Sequence, residues 1–166
     1  MRISVNFDAS VVRWMAARAR PSDIAKFCAM GIAGTTREQI AAGVAPYFSG
    51  SGMMLFSLDE ESPPIVVGGA VGVRPNVVQT AFFATVDWPD IARPLSRWIR
   101  NAFFPALRTN GVHRIQTLTL AGHPETDRWL TWLGMKYESW KPGYGSNGET
   151  FVEYAWVADD FATRPS

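Results

Sequence analysis

Residues His123 to Met135 read HPETDRWLTWLGM, a short amphipathic helix with both a start and a stop signal, set between two strand-like stretches. Pro124 suits the first helical position, where a backbone N–H would be an orphan in any case. Glu125 and Asp127 place negative charge on the positive end of the helix dipole, and Gly134 ends the helix. Trp129, Leu130, Trp132 and Leu133 recur at helical spacing, so this helix must press an apolar face onto something. Strand, helix, glycine stop and strand then form one topological unit, with the helix lying on a sheet.

The chain has 166 residues, 47% of them hydrophobic and 19% charged, enough to bury one substantial core, and it contains no repeat, low-complexity tract or linker. Residues 1–166 are therefore expected to form a single domain. A formal net charge of +1 argues against a general nucleic-acid binder, which needs a basic excess to displace counterions. One cysteine, Cys28, excludes an intrachain disulfide, and with His113 and His123 as the only histidines no metal site is expected. The opening MRISVNFDAS has too short an apolar run for a signal peptide. The uncharged stretch from Gln39 to Leu58 is broken by Gly43, Pro46, Gly50 and Gly52, so no membrane span is expected and a reducing, cytoplasmic setting is the simpler reading.

Along the chain, Val11 to Arg20 reads as a first strand, and Pro21-Ser22-Asp23 leads into a helix that ends at Gly31. Thr36 caps a second helix running to about Tyr47, with Ile40, Val44 and Tyr47 on its apolar stripe. Met53–Leu58, Ile65–Val73 and Val77–Val86 form an antiparallel meander, turned by the acidic Asp59–Pro63 segment and by Arg74-Pro75-Asn76. Gly68, Gly69 and Gly72 invite close approach of another backbone or side chain. The longest helix follows Asp87-Trp88-Pro89-Asp90, with Ile91, Leu95, Trp98 and Ala102 inward and Arg93, Arg97 and Arg100 outward. Its regular part is expected to begin near Pro94 and to kink or tighten near Pro105. His113–Leu120, Met135–Lys141 and Phe151–Val157 complete the strands.

This element order resembles the GNAT fold of N-acetyltransferases over nearly the whole chain, and the motif-level resemblance lies between His113 and Val157. It implies an α+β fold with a mostly antiparallel mixed sheet of about six to seven strands and about four helices on both faces. The family carries an Asn, a small residue, a Tyr and Leu-Gly-Phe in its last third; here those places hold His123, Thr126, Leu130 and Leu133-Gly134-Met135. Leu130 cannot protonate a leaving thiolate, the role of the family's Tyr. The resemblance further implies coenzyme A pyrophosphate at a glycine-rich loop after the central strand. The corresponding Asp87–Pro94 segment has no glycine, two prolines that remove donors, and Asp87 and Asp90. At about 5 Å and an effective dielectric of 20 to 80, each aspartate costs roughly 1 to 3 kcal/mol against a phosphate charge.

No cofactor is therefore expected, or acetyl-CoA if the chain is an enzyme, held by Arg93 and Arg97. The same arginines also read as the wet face of an amphipathic helix. The candidate proton-transfer groups are Asp87, which doubles as a helix cap, and His123, at the family's Asn position. Cys28 reads as a small buried apolar residue, and most tryptophans as core or half-buried; an exposed Trp88, Trp132 or Trp140 would mark a protein contact.

Pro64–Gly69, the Arg128-x-Leu130-x-x-x-Gly134 spacing and the Gly148-Glu149 turn before an aromatic last strand resemble a family of small bacteriophage proteins with a degenerate GNAT-like fold, among them internal virion proteins of short-tailed phages. Three readings follow. The leading one is a phage-encoded virion-associated or assembly protein without efficient acetyl transfer, partnered by virion or host proteins. The others are an acetyl-CoA-dependent N-acetyltransferase with an atypical loop, and a host-protein-binding inhibitor. The expected location is the host cytoplasm or the virion.

Overall fold

The computed structural model describes residues 1–5, 7–34 and 36–159. Seven strands form one sheet in the order β1-β2-β3-β4-β5-β7-β6, from β1 (Arg2–Ser4), β2 (Met53–Ser57), β3 (Val66–Arg74), β4 (Val77–Ala84), β5 (Arg114–Leu120), β6 (Lys136–Lys141) and β7 (Phe151–Val157). Every neighbouring pair is antiparallel except β4 and β5. The α+β class with a mixed, mostly antiparallel sheet is as expected.

The first element departs from expectation. Val11 to Arg20 is not a strand: residues Ala9–Ala16 are helix α1, and the first strand is the short Arg2–Ser4. Val12, Met15, Ala16 and Ala19 are fully buried at i, i+3, i+4 and i+7, and the Ser10 amide donates to Asp8 Oδ1 at 2.6 Å, so stripe and cap both favour a helix over the β-branched Val11-Val12 pair. Helices α2 (Pro21–Ala29) and α3 (Arg37–Phe48) follow, the latter closed by a reciprocal capping box in which Thr36 and Gln39 each accept from the other's backbone at 3.3 Å. Ile40 and Val44 point inward, whereas Tyr47 is exposed.

The long helix is one rod made of α4 (Trp88–Trp98), a π-helical turn (Ile99–Phe103) and α5 (Phe104–Thr109). Its regular part begins at Trp88 rather than near Pro94, which is accommodated inside the helix on its exposed side. Near Pro105 the helix widens instead of tightening. Pro105 has no N–H for the carbonyl four residues back, and the Phe104 amide bonds Ile99 O in a π register. The register shift buries Ile99 and Phe104 and turns Ala102 outward, against its expected core place. With α6 (Pro124–Trp132), five helical rods cover the two faces of the sheet, one more than expected.

Helices α1–α3 pack with Met53, Leu55, Val67 and Phe83 on one face; α4–α6 pack with Phe56, Val66, Ala84, Ile115 and Tyr154 on the other. Helix α6 closes as its sequence demands: Gly134 adopts φ 91°, and the Met135 amide reaches Leu130 O at 3.1 Å. Leu130 and Leu133 are buried, Trp129 is half-buried, and Trp132 is exposed beneath Arg100, whose guanidinium carbon lies 4.8 Å from its ring centre. Burial first and the neighbouring Asp127 carboxylate second push the Tyr154 phenol up to about 12.

Gly69 shows why glycine interrupts β3. A Cβ there would run into the backbone of Gly52 and Met53, atoms that cannot move aside as a flexible side chain would. Gly69→Ala is expected to lose about 3 kcal/mol or more in urea unfolding, as overpacking against backbone does. Gly72→Ala meets nothing within 4 Å and is expected to stay within about 0.5 kcal/mol of the parent.

Candidate functional site

Strands β4 and β5 pair in parallel only from Val77–Gln79 to Arg114–Gln116. Two threonines extend the contact by one step, with Thr80 Oγ1 donating to Gln116 O at 3.2 Å and Thr117 Oγ1 to Thr80 O at 3.0 Å. Beyond them β4 and β5 are not paired, and a cleft of about 790 Å³ runs through the sheet between them. Because paired residues share a face, Thr80, Phe82, Thr117 and Thr119 line it toward α4–α6, and Gln79, Phe83, Leu118 and Leu120 toward α1–α3. The cleft therefore has two mouths.

On the α2 side, the edge of β4 is occupied by side chains of the chain itself. Asp23 is 4% exposed, and its Oδ2 accepts from the Ala84 amide at 3.1 Å and from Arg20 Nε at 2.9 Å. Lys26 Nζ donates to Phe82 O at 3.1 Å and lies 3.7 Å from Asp23 Oδ1. Burial pushes the Lys26 ammonium below its ordinary pKa; Asp23 pulls it back up and Arg20 pushes it further down. Arg20 N and Val86 N complete the seam, donating to Ala84 O and Arg18 O at 3.0 and 3.2 Å. The turn between β6 and β7 roofs this mouth: Ser146 N–H and Oγ donate to Ala29 O and Cys28 O, the last carbonyls of α2, at 2.8 and 3.1 Å.

On the other side, the start of α4 offers little to an anion through its backbone. Trp88 N–H goes to Thr85 O at 3.2 Å, Pro89 has no N–H, and Asp90 N–H goes to Asp87 O at 3.1 Å. Arg93 and Arg97 both line the cleft here, and neither has a hydrogen-bond, ion-pair or ring partner among the described residues. Arg100, the third of the expected outer row, does not line it and rests on Trp132. An incoming phosphate would thus meet two open guanidinium forks and no amide cradle, so the residues present fit a polyphosphate through side chains alone.

His123 lines the cleft at the head of α6, with Nδ1 3.5 Å from Glu125 Oε1. Asp87 does not line it; its carboxylate makes no cap bond to α4 and accepts instead from Thr85 Oγ1 at 3.3 Å. The structure thus brings Arg93, Arg97 and His123 to one cleft and leaves Asp87 outside it. Leu130, at the position of the family's tyrosine, is buried. Trp129 crosses the space between α6 and α4, donating from Nε1 to Ser96 Oγ at 2.8 Å and meeting Trp88 and Phe82 edge-on at 5.8 and 6.3 Å. Sequence reasoning missed Arg20, Asp23 and Lys26. The only signal was an Arg-x-x-Asp-x-x-Lys spacing across a helix start, which reads equally well as an exposed ion-pair row.

No family model matches the chain, and no curated protein matches it. Solved structures do match in shape. A GNAT-family acetyltransferase from Bacillus anthracis superposes with a TM-score of 0.69 at 12% identity, covering 95% of both chains. The ribosomal-protein-S18-alanine N-acetyltransferase from Escherichia coli gives 0.64 at 12% identity over 99% of both. The yncA acetyltransferase from Salmonella typhimurium, with its cofactor acetyl-CoA, gives 0.62 at 10% identity over 99% of this chain and 98% of that one. At such identities the likeness is one of fold: the chain has the fold of the GNAT acetyltransferases.

Proposed function

We propose that the protein binds an acyl-CoA thioester in the cleft between β4 and β5 and transfers its acyl group to an amine. The observation that carries this reading is the through-sheet cleft with Arg93 and Arg97 unpartnered at one mouth and Lys26 at the other. Acetyltransferases with this fold, some solved with acetyl-CoA, supply the class of donor. When bound, that donor supplies an activated acyl carbon. Arg93 and Arg97 would hold its phosphates, a task that backbone amides at the start of α4 cannot perform.

The remaining work falls to orientation and proton handling. The two-mouthed cleft lets donor and amine approach from opposite faces of the sheet, which converts their encounter into a positioned one. His123 would take a proton from the amine, with Glu125 Oε1 3.5 Å from its Nδ1 to steer the ring. Leu130 supplies no acid for the leaving thiol, which would have to depart as thiolate.

Tyr137 and Trp140, exposed on the edge strand β6, favour a second reading, a partner-binding protein on the same fold. A phage virion or assembly role, or inhibition of a host protein, draws no support from the likenesses, which are to acetyltransferases. Calorimetric titration with acetyl-CoA separates the readings. Saturable one-site binding with a dissociation constant of about 100 μM or tighter, roughly −5.5 kcal/mol, is expected. Absence of heat in folded protein would leave partner binding.

A further inference from the structure

The mouth on the α2 side has a chemistry of its own. Its walls are Met30, Leu118, Leu120, Tyr144 and Phe151, with the Tyr144 and Phe151 ring centres 5.5 Å apart. Its charged groups are Arg20, Asp23 and Lys26, two cations against one carboxylate. The Asp23 carboxylate is already engaged by Arg20 and the Ala84 amide, so no free acid waits here for a cationic ligand. Lys26 donates one hydrogen to Phe82 O and has Asp23 only at 3.7 Å, which leaves donor capacity at the edge of the cleft. Its side chain is 17% exposed.

We infer that this mouth takes a small primary amine carrying both an apolar, aromatic-sized group and a carboxylate, as an aromatic α-amino acid does, with the carboxylate received by Lys26. The inference rests on the acyl-transfer reading for the fate of the amine, but not for its binding. A bound carboxylate would give Lys26 a second counter-charge beside Asp23, which is 3.7 Å away and shared with Arg20, and the apolar walls take the side chain. The carboxylates lining the cleft are Asp23, already engaged, and Glu125, 3.5 Å from His123 at the head of α6, so a polyamine finds no unpaired one.

The test is calorimetry and thermal shift without any acyl donor, using L-phenylalanine, phenethylamine, L-alanine and spermidine. Phenylalanine is expected to bind at least about tenfold tighter than phenethylamine, which lacks the carboxylate, and than alanine, which lacks the ring; spermidine is expected not to bind. Lys26→Met should make phenylalanine and phenethylamine equal. Met30 is 57% exposed, so Met30→Glu should fold normally, weaken phenylalanine about tenfold and leave acetyl-CoA binding unchanged. Spermidine or phenethylamine binding as tightly as phenylalanine overturns the inference, as does indifference to Met30→Glu. Acetyl-CoA binding with no amino-acid binding sinks this inference alone; amino-acid binding without acetyl-CoA binding sinks the acyl-transfer reading and leaves the mouth standing.

Discussion

Replacing Arg93 and Arg97 together by alanine is expected to weaken acetyl-CoA binding by about 100-fold, and each single replacement by about tenfold. A charge-assisted hydrogen bond is worth about 1.5 to 3 kcal/mol, and both side chains are exposed, so the lower end applies to each. The effect is large because nothing else at that mouth replaces them: the first amides of α4 are spent on Thr85 O and Asp87 O, and Asp87 and Asp90 repel phosphate. Arg100→Ala is the control. Its guanidinium is engaged on the Trp132 ring and Arg100 itself does not line the cleft, so the variant should bind as the parent does. Titration at two salt concentrations gives a second readout, since the parent should weaken as salt rises and the double variant much less. A double variant within about threefold of the parent would show that phosphates sit elsewhere.

The same residues show what the sequence could and could not reveal. Elements whose signals are local were legible: the Thr36 cap, the Gly134 stop, and the three apolar runs of the meander. Helix α1 was not, because Val11-Val12 speaks for a strand within ten residues, and only packing against α3 makes the Val12, Met15, Ala16 and Ala19 stripe decisive. The π turn was half legible. Pro105 marked the place, but a proline does not say whether the ladder tightens or widens.

Within the cleft, His123 was legible because it follows the end of β5 at the start of α6, where open sheets present their chemistry, and Arg93 and Arg97 because they recur on the outer stripe of α4. Asp23 and Lys26 were not, because their burial comes from contact with β4, about sixty residues away in sequence. A carboxylate and a lysine three residues apart look alike on a wet helix and on one pressed against a strand edge. The bulk of the cleft was equally hidden, since it arises where the β4–β5 pairing stops and no residue type announces the end of a parallel ladder.

That contact makes Asp23 the residue whose loss should cost the fold most. Asp23→Ala is expected to lower unfolding stability by about 3 to 5 kcal/mol in urea, because it strands a buried ammonium, a half-buried guanidinium and the Ala84 amide at once. Lys26→Met is expected to cost only about 1 kcal/mol. It removes the group that burial penalises and leaves Asp23 with Arg20 and Ala84, losing the single bond to Phe82 O. The asymmetry has a pH signature. The folded-state pKa of Lys26 lies below its ordinary 10.5, so between those two values the unfolded chain holds the proton that the folded chain has released. Stability therefore rises with pH through that window, and the cost of charging Lys26 is fully present below it. The parent should accordingly gain on Lys26→Met as pH approaches 10.5, with both unfolded in parallel at each pH. Equal costs for the two substitutions, or a gap between parent and Lys26→Met that ignores pH, would show that the Lys26 ammonium is solvated rather than held out of water against Phe82 O and Asp23.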